Sequence, residues 1–161
     1  MAYSANGTSQ YLSTSASPVA AMTPMTIAAW IRRGANSASV AIGAVQELTG
    51  SHRNVLILSS TNTIAAAASG ATASPSIGTT ATVSQGVWTH AAAVFRSSSD
   101  RSVYLNGGNR ADSVVAAGTQ TAPTVASIAA RFSTTWGAFY PGDIADFGIW
   151  NAALTDAEIA S

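Results

Sequence analysis

From residue 144 to residue 150 the side chains divide with a period of two: Ala145, Phe147 and Ile149 fall on one face of a strand, Ile144, Asp146, Gly148 and Trp150 on the other. Both faces are mostly apolar, which predicts a strand in the middle of a sheet covered on both sides. Thr155 and Glu158 follow with the S/T-x-x-E spacing of a capping box, so the chain is expected to close in a short helical turn. The same alternation recurs upstream. Over 25–32, Met25, Ile27, Ala29 and Ile31 face one way and Thr26, Ala28, Trp30 and Arg32 the other. Over 87–96, Trp88, His90, Ala92 and Val94 alternate with Thr89, Ala91, Ala93 and Phe95.

Shorter runs fill the spaces between. Residues 3–12 read as an edge strand carrying an Asn6-Gly7 turn signal, and 40–45 with 54–58 as a hairpin with a long polar loop. Residues 64–68 are rich in alanine but too few for a helix without packing support, so a strand is expected there, followed by an edge strand over 79–83. The 87–96 strand returns over 102–105 and stops at Asn106-Gly107-Gly108, whose residues tolerate positive φ. Two more strands, 112–116 and 124–130, precede an aromatic-rich loop over 132–141. Short strands separated by regular turn signals argue for an all-β antiparallel sandwich or barrel, with 1–161 as one domain.

Composition narrows the partners. Charged side chains make up 9% of the chain, against about 25% in ordinary soluble domains, and Ser, Thr, Ala and Gly take their place. The exterior is therefore expected to be hydroxyl and methyl. All the basic residues are arginines, they balance the acids seven to seven, and they form no cluster, so nucleic acid is not an expected partner. The absence of cysteine excludes disulfides and thiolate metal sites. No apolar run reaches the length of a membrane-spanning helix, and residues 1–10 lack the charged-then-apolar pattern of a signal peptide.

Four blocks then occur in order: Met25-Thr26-Ile27-Ala28-Ala29-Trp30-Ile31, Trp88-Thr89-His90-Ala91-Ala92, Val103-Tyr104-Leu105-Asn106-Gly107, and Gly142-Asp143-Ile144-Ala145-Asp146 running on to Leu154 and Glu158-Ile159. Together they span nearly the whole chain and resemble the laminin-G-like branch of the concanavalin A-like lectin/glucanase superfamily. The resemblance implies a two-sheet antiparallel jelly-roll β-sandwich in which the Trp88 and Val103 strands are neighbours. A fold of this kind hosts lectins, hydrolases, adhesion modules and virion proteins, so the residues must choose.

Hydrolysis of glycosides needs two facing carboxyl groups. Here Glu47 stands alone, Glu158 belongs to the capping box, and Asp143 and Asp146 are spaced to point to opposite faces of a strand. No G-x-S-x-G elbow accompanies His90, so no enzyme is expected. Some laminin-G-like domains bind calcium, but the acids are scattered, so no metal or cofactor is expected; backbone carbonyls beside Asp143 or Asp100 leave a weak calcium site open. His52 is expected to be solvated, and Asp146 to accept hydrogen bonds from a neighbouring loop. Trp30, Trp88, His90, Phe147 and Trp150 read as core positions. Trp136, Phe139 and Tyr140 lie in a predicted loop, where aromatics either cover a core edge or form a stacking platform, and are the candidate ligand or partner contacts.

Two functions follow as expectations. The first is a non-catalytic virion surface protein, a bacteriophage capsid decoration or head or tail component, made in the host cytoplasm and partnered by other virion proteins or by copies of itself, as in a trimer. The alternative is a carbohydrate-binding lectin-like module with glycans as partners, extracellular if free.

Overall fold

The computed structural model describes residues 1–35, 38–48 and 52–161. Its strands are β1 (Tyr3–Asn6), β2 (Leu12–Ser13), β3 (Met25–Arg33), β4 (Val40–Gln46), β5 (Arg53–Leu58), β6 (Thr63–Ser69) and β7 (Ser76–Thr82). After these come β8 (Trp88–Phe95), β9 (Arg101–Leu105), β10 (Gly108–Ser113), β11 (Val125–Ile128), β12 (Arg131–Phe132), β13 (Trp136–Gly137) and β14 (Pro141–Trp150), with the helix α1 (Asp156–Ala160) last. One six-stranded sheet has the order β1-β14-β3-β8-β9-β10 and the other β2-β11-β4-β5-β6-β7. All strand pairs within them are antiparallel, and β8 lies beside β9 as the family resemblance implies. The molecule is an antiparallel β-sandwich.

The core sits between the sheets. From the first come Met25, Ile27, Ala29 and Ile31 of β3 with Ala91, Ala93 and Phe95 of β8; the second supplies Ile42, Leu56, Leu58, Ile64 and Ala66. The alternation in β3 and β8 thus separates their two faces as the sequence predicts. The Ala-rich run is a strand, β6, pairing with β5 through registers such as Leu56↔Ala66. The hairpin of β4 and β5 also forms, while the tip of its loop, 49–51, lies outside the described residues.

Four segments depart from the sequence reading. β14 lies inside its sheet between β1 and β3, but its register against β3 slips between Ala145 and Gly148, with Asp146 at φ 48°. This bulge reverses the side-chain parity, so Ile144, Phe147 and Ile149 all pack on the core, while Gly148 and Trp150 turn outward. Asp146 is exposed at the bulge, and among the described residues no loop donates a hydrogen bond to it. The expected strand over 3–12 splits: Asn6 Oδ1 accepts from the N–H groups of Thr8, Ser9 and Gln10 at 3.0, 3.0 and 3.1 Å, Gly7 takes φ 73°, and the chain crosses to the other sheet. The strand expected over 112–116 ends at Ser113, leaving Val114 and Val115 exposed. The aromatic loop contains the small hairpin β12–β13.

Phe147 locks the sheets together. Its ring lies so close over Gly43 that a Cβ there would sit 2.2 Å from Cε2. Only a glycine leaves room for that ring in a close-packed interior.

Among the described residues, the outer face of the first sheet is covered by the segment that leads into α1. There Ile159 of α1, with Ala153 and Leu154, packs on Ala28, Ala92, Val94 and Tyr104. The capping box forms as predicted, with Thr155 Oγ1 accepting from the Glu158 N–H and the Glu158 carboxylate accepting from the Thr155 N–H. The Thr26 hydroxyl pins the approach, donating to Ala152 O at 2.8 Å and accepting from Leu154 N at 3.0 Å. Tyr104 Oη donates to Asp156 Oδ1 at 2.7 Å, and Arg110 Nη1 bonds Oδ2 of the same carboxylate at 2.7 Å. The helix is thereby held on the sheet at both its apolar and its charged sides.

Candidate functional site: a tryptophan groove on the outer sheet face

Three of the side chains expected in the core are not there. Trp30, Trp88 and Trp150 are 43%, 39% and 40% exposed. The physical reason is the period of two itself: in β3 and β8 the inward positions are filled by Ile, Ala, Met and Phe, so the residues between them must face out. Those indoles stand on the open part of the outer face, beside α1, and line a groove of about 530 Å³.

The groove is built from neighbouring register positions. Trp30 pairs across with His90, Arg32 with Trp88, and Gly148 with Ala28. Ala28 is a small floor residue between the taller side chains. Gly148 has a matching role on β14. A Cβ there would lie 2.4 Å from Cη2 of Trp150, so the glycine lets that indole lie down on its own strand. The opposite wall is Ile159 with its neighbours in α1, which approach the turn after β9; a Cβ at Gly107, where φ is 69°, would meet Ala160 Cα at 3.0 Å.

Polar groups in the groove are few. His90 is half-buried, with its ring centroid 5.5 Å from that of Trp30 at an angle of 51°. Its pKa is lowered by desolvation, which keeps the imidazole neutral near pH 7. A neutral imidazole offers one donor and one acceptor, and neither ring nitrogen has a partner among the described residues. His90 is thus a groove residue, not a core residue. Asn106, at φ 52°, uses Oδ1 to accept from the His90 backbone N–H at 3.0 Å, which leaves its amide NH2 at the groove edge. Arg32 lies over the Trp88 ring at 5.5 Å and is held by Asp143 at 2.7 Å. The hydrogen bond from Arg32 keeps the Asp143 carboxyl below its usual range.

The aromatic segment chosen from sequence divides differently. Tyr140 is fully buried in the main core, and burial pushes its phenol well above its ordinary pKa, so it cannot contact a ligand. Trp136 is half-buried, stacked on Tyr11 at 4.4 Å and 27° and set edge-on to Phe132 at 5.6 Å. Phe139 lies 6.0 Å from Tyr11. These rings pack against one another. Tyr11 was not legible as their partner, because nothing local marks a residue brought in from so far along the chain. Phe147 packs against the core as expected.

His52 is not simply solvated. Its Nδ1 accepts from the Thr121 backbone N–H at 3.1 Å, and the Thr121 hydroxyl donates to Glu47 at 2.6 Å. Among the described residues no three His, Asp or Glu side chains gather in a way that could hold a metal ion.

The acids near the helix are all engaged. At Asp112 the upward push of desolvation is outweighed by hydrogen bonds from Ser102 and Arg110, and Asp156 is held below its usual range by Tyr104 and Arg110. Glu158 is lowered by the backbone N–H of Thr155.

Comparison with known proteins agrees with this architecture. A pentraxin described as SAP-like and heptameric, from Limulus polyphemus, is 18% identical and superposes with a TM-score of 0.78, covering 99% of this chain and 79% of that one. The CBM40 of the Ruminococcus gnavus IT-sialidase, solved with α2,3-sialyllactose, is 12% identical with a TM-score of 0.72, over 95% of this chain and 96% of that one. Domain 4 of AbnA, an extracellular arabinanase from Geobacillus stearothermophilus, solved with arabinotriose, is 15% identical with a TM-score of 0.71, over 99% and 74%. No curated protein sequence matches the chain. At such identities the likeness is one of fold. A family model described as the concanavalin A-like lectin/glucanases superfamily matches residues 6–160. The chain belongs to the laminin-G-like branch of the concanavalin A-like lectin/glucanase superfamily.

Proposed function

We propose that this domain is a non-catalytic carbohydrate-binding module and that its site is the tryptophan groove. The observation that carries the reading is the set of three half-exposed indoles around a small-residue floor, with a neutral imidazole among them whose ring nitrogens have no hydrogen-bond partner among the described residues. The electron-rich face of an indole attracts the polarised C–H bonds on the apolar side of a sugar ring, and the indole N–H groups, His90 and Asn106 supply donors and acceptors for hydroxyls. Supporting context comes from two carbohydrate-bound modules of similar fold.

A glycosidase acid needs a raised pKa, and Asp112, Asp143, Asp156 and Glu158 all shift the other way. This supports binding without hydrolysis. The expectation of a virion surface protein draws no support from the similar structures. A single shallow groove implies weak binding, so function would gain from several copies acting together.

The test is a calorimetric titration of the protein with a panel of oligosaccharides, alongside Trp88→Ala. Binding by the native protein that falls at least tenfold in the variant, with unchanged circular dichroism, supports the reading. Binding that survives in Trp88→Ala, or no binding by the native protein to any sugar, overturns it.

A further inference from the structure

Resting on the glycan reading above, we infer that the groove selects neutral sugars and discriminates against anionic ones. Its lining contains no arginine, and its one charged side chain among the described residues is Glu158, with the Ser161 carboxylate of this chain adding to the negative side. Glu158 Oε2 is occupied, accepting from the Thr155 N–H and the Thr155 hydroxyl at 2.8 Å each. Oε1 has no protein partner among the described residues and stays available at the groove wall.

A carboxylate-bearing sugar is recognised by a guanidinium free to make a forked pair of hydrogen bonds. The arginine nearest the indoles is Arg32, and it is already committed to Asp143 at 2.7 Å and to the face of Trp88. Across α1, Arg110 is committed to Asp112 and Asp156 at 2.8 and 2.7 Å. A uronate or sialyl carboxylate in the groove would therefore face Glu158 with no compensating cation. A neutral ring presents only hydroxyls and C–H bonds there, and a free carboxylate oxygen is a good acceptor for a sugar hydroxyl. Likeness in fold to a module solved with sialyllactose does not carry that ligand to this groove.

The test compares matched pairs on the full chain: lactose with 3′-sialyllactose, and xylotriose with its glucuronosyl derivative. The neutral member is expected to bind more tightly by about fivefold at low ionic strength, the Coulomb effect of a like charge about 4 Å away in water. That ratio should fall in Glu158→Gln, because glutamine still closes the capping box while removing that charge. It should also shrink in the native protein at about 1 M salt, a reading that needs no variant to fold. An anionic member that binds as tightly as its neutral partner overturns the inference, as does a ratio unmoved by both substitution and salt. Failure of every sugar, neutral and charged, would remove the glycan reading itself and this inference with it, an outcome distinct from the other two.

Discussion

Replacing Gly43 by alanine tests the packing that sets the separation of the sheets. The added methyl would lie 2.2 Å from Phe147 Cε2 and 2.5 Å from Cζ, against about 3.5–4.0 Å for a comfortable carbon contact. The ring would have to retreat by more than an ångström, towards the groove it lines with Leu12, Pro18 and Ile149. Overpacking of this kind costs about 1–3 kcal/mol, and the lower half of that range applies because the obstructing atoms are the outer end of a partly buried ring beside a groove. Phe147→Ala alone should cost about 3 kcal/mol, the low end for phenylalanine because the side chain is only partly buried. Combined, the two changes should cost at least 1 kcal/mol less than their sum, since the methyl then occupies space the ring has left. Urea unfolding followed by circular dichroism reads all four proteins of the cycle. A Gly43→Ala protein within about 0.5 kcal/mol of the native one, or strictly additive energies, would refute the contact.

Other outcomes follow from the same structure. Arg101 is fully buried with no carboxylate bonded to it among the described residues, and its guanidinium donates to Ser98 O at 3.1 Å and Val115 O at 2.6 Å. Arg101→Ala should strand both carbonyls and cost about 3 kcal/mol in urea unfolding, and a loss under about 1 kcal/mol would contradict that role. His90 should titrate below the ordinary value of about 6.5 in an NMR pH series, because desolvation disfavours its charged form. The unfolded chain then binds more protons, so the His90 contribution to stability is present above that ordinary value and is lost as pH falls towards the folded one. A midpoint at or above the ordinary value would show that the ring is not desolvated. Trp136→Ala should lower the melting temperature by several degrees and leave sugar affinity unchanged, given its stack on Tyr11; lost affinity at native stability would return Trp136 to the site.

The fold was largely legible because alternation is a direct imprint of strand geometry. Met25 through Arg32 and Trp88 through Phe95 divide into faces in the structure as they do in the sequence. What alternation does not say is which face is covered. In β3 and β8 both faces carry large apolar groups, and a tryptophan looks like the better core residue until a second sheet claims the other side. The site was therefore hidden in plain sight, with Trp30, Trp88, His90 and Trp150 all singled out and all assigned to the interior. One usable signal was present: the Met, Ile, Ala and Phe of the opposite faces make an unbroken apolar inward face, so the indoles between them point the other way. The bulge at Asp146 was not legible, because a one-residue slip depends on the partner strand. Tyr11 against Trp136 was equally invisible, since a contact between distant segments leaves no local pattern.

The most direct measurement follows the four indole N–H resonances of isotope-labelled protein while a neutral oligosaccharide is added. The signals of Trp30, Trp88 and Trp150 should move together and saturate at one affinity, while that of Trp136 stays fixed. Movement of the Trp136 signal alone, or saturable binding that leaves the three groove indoles unshifted, would contradict the assignment of the groove as the site.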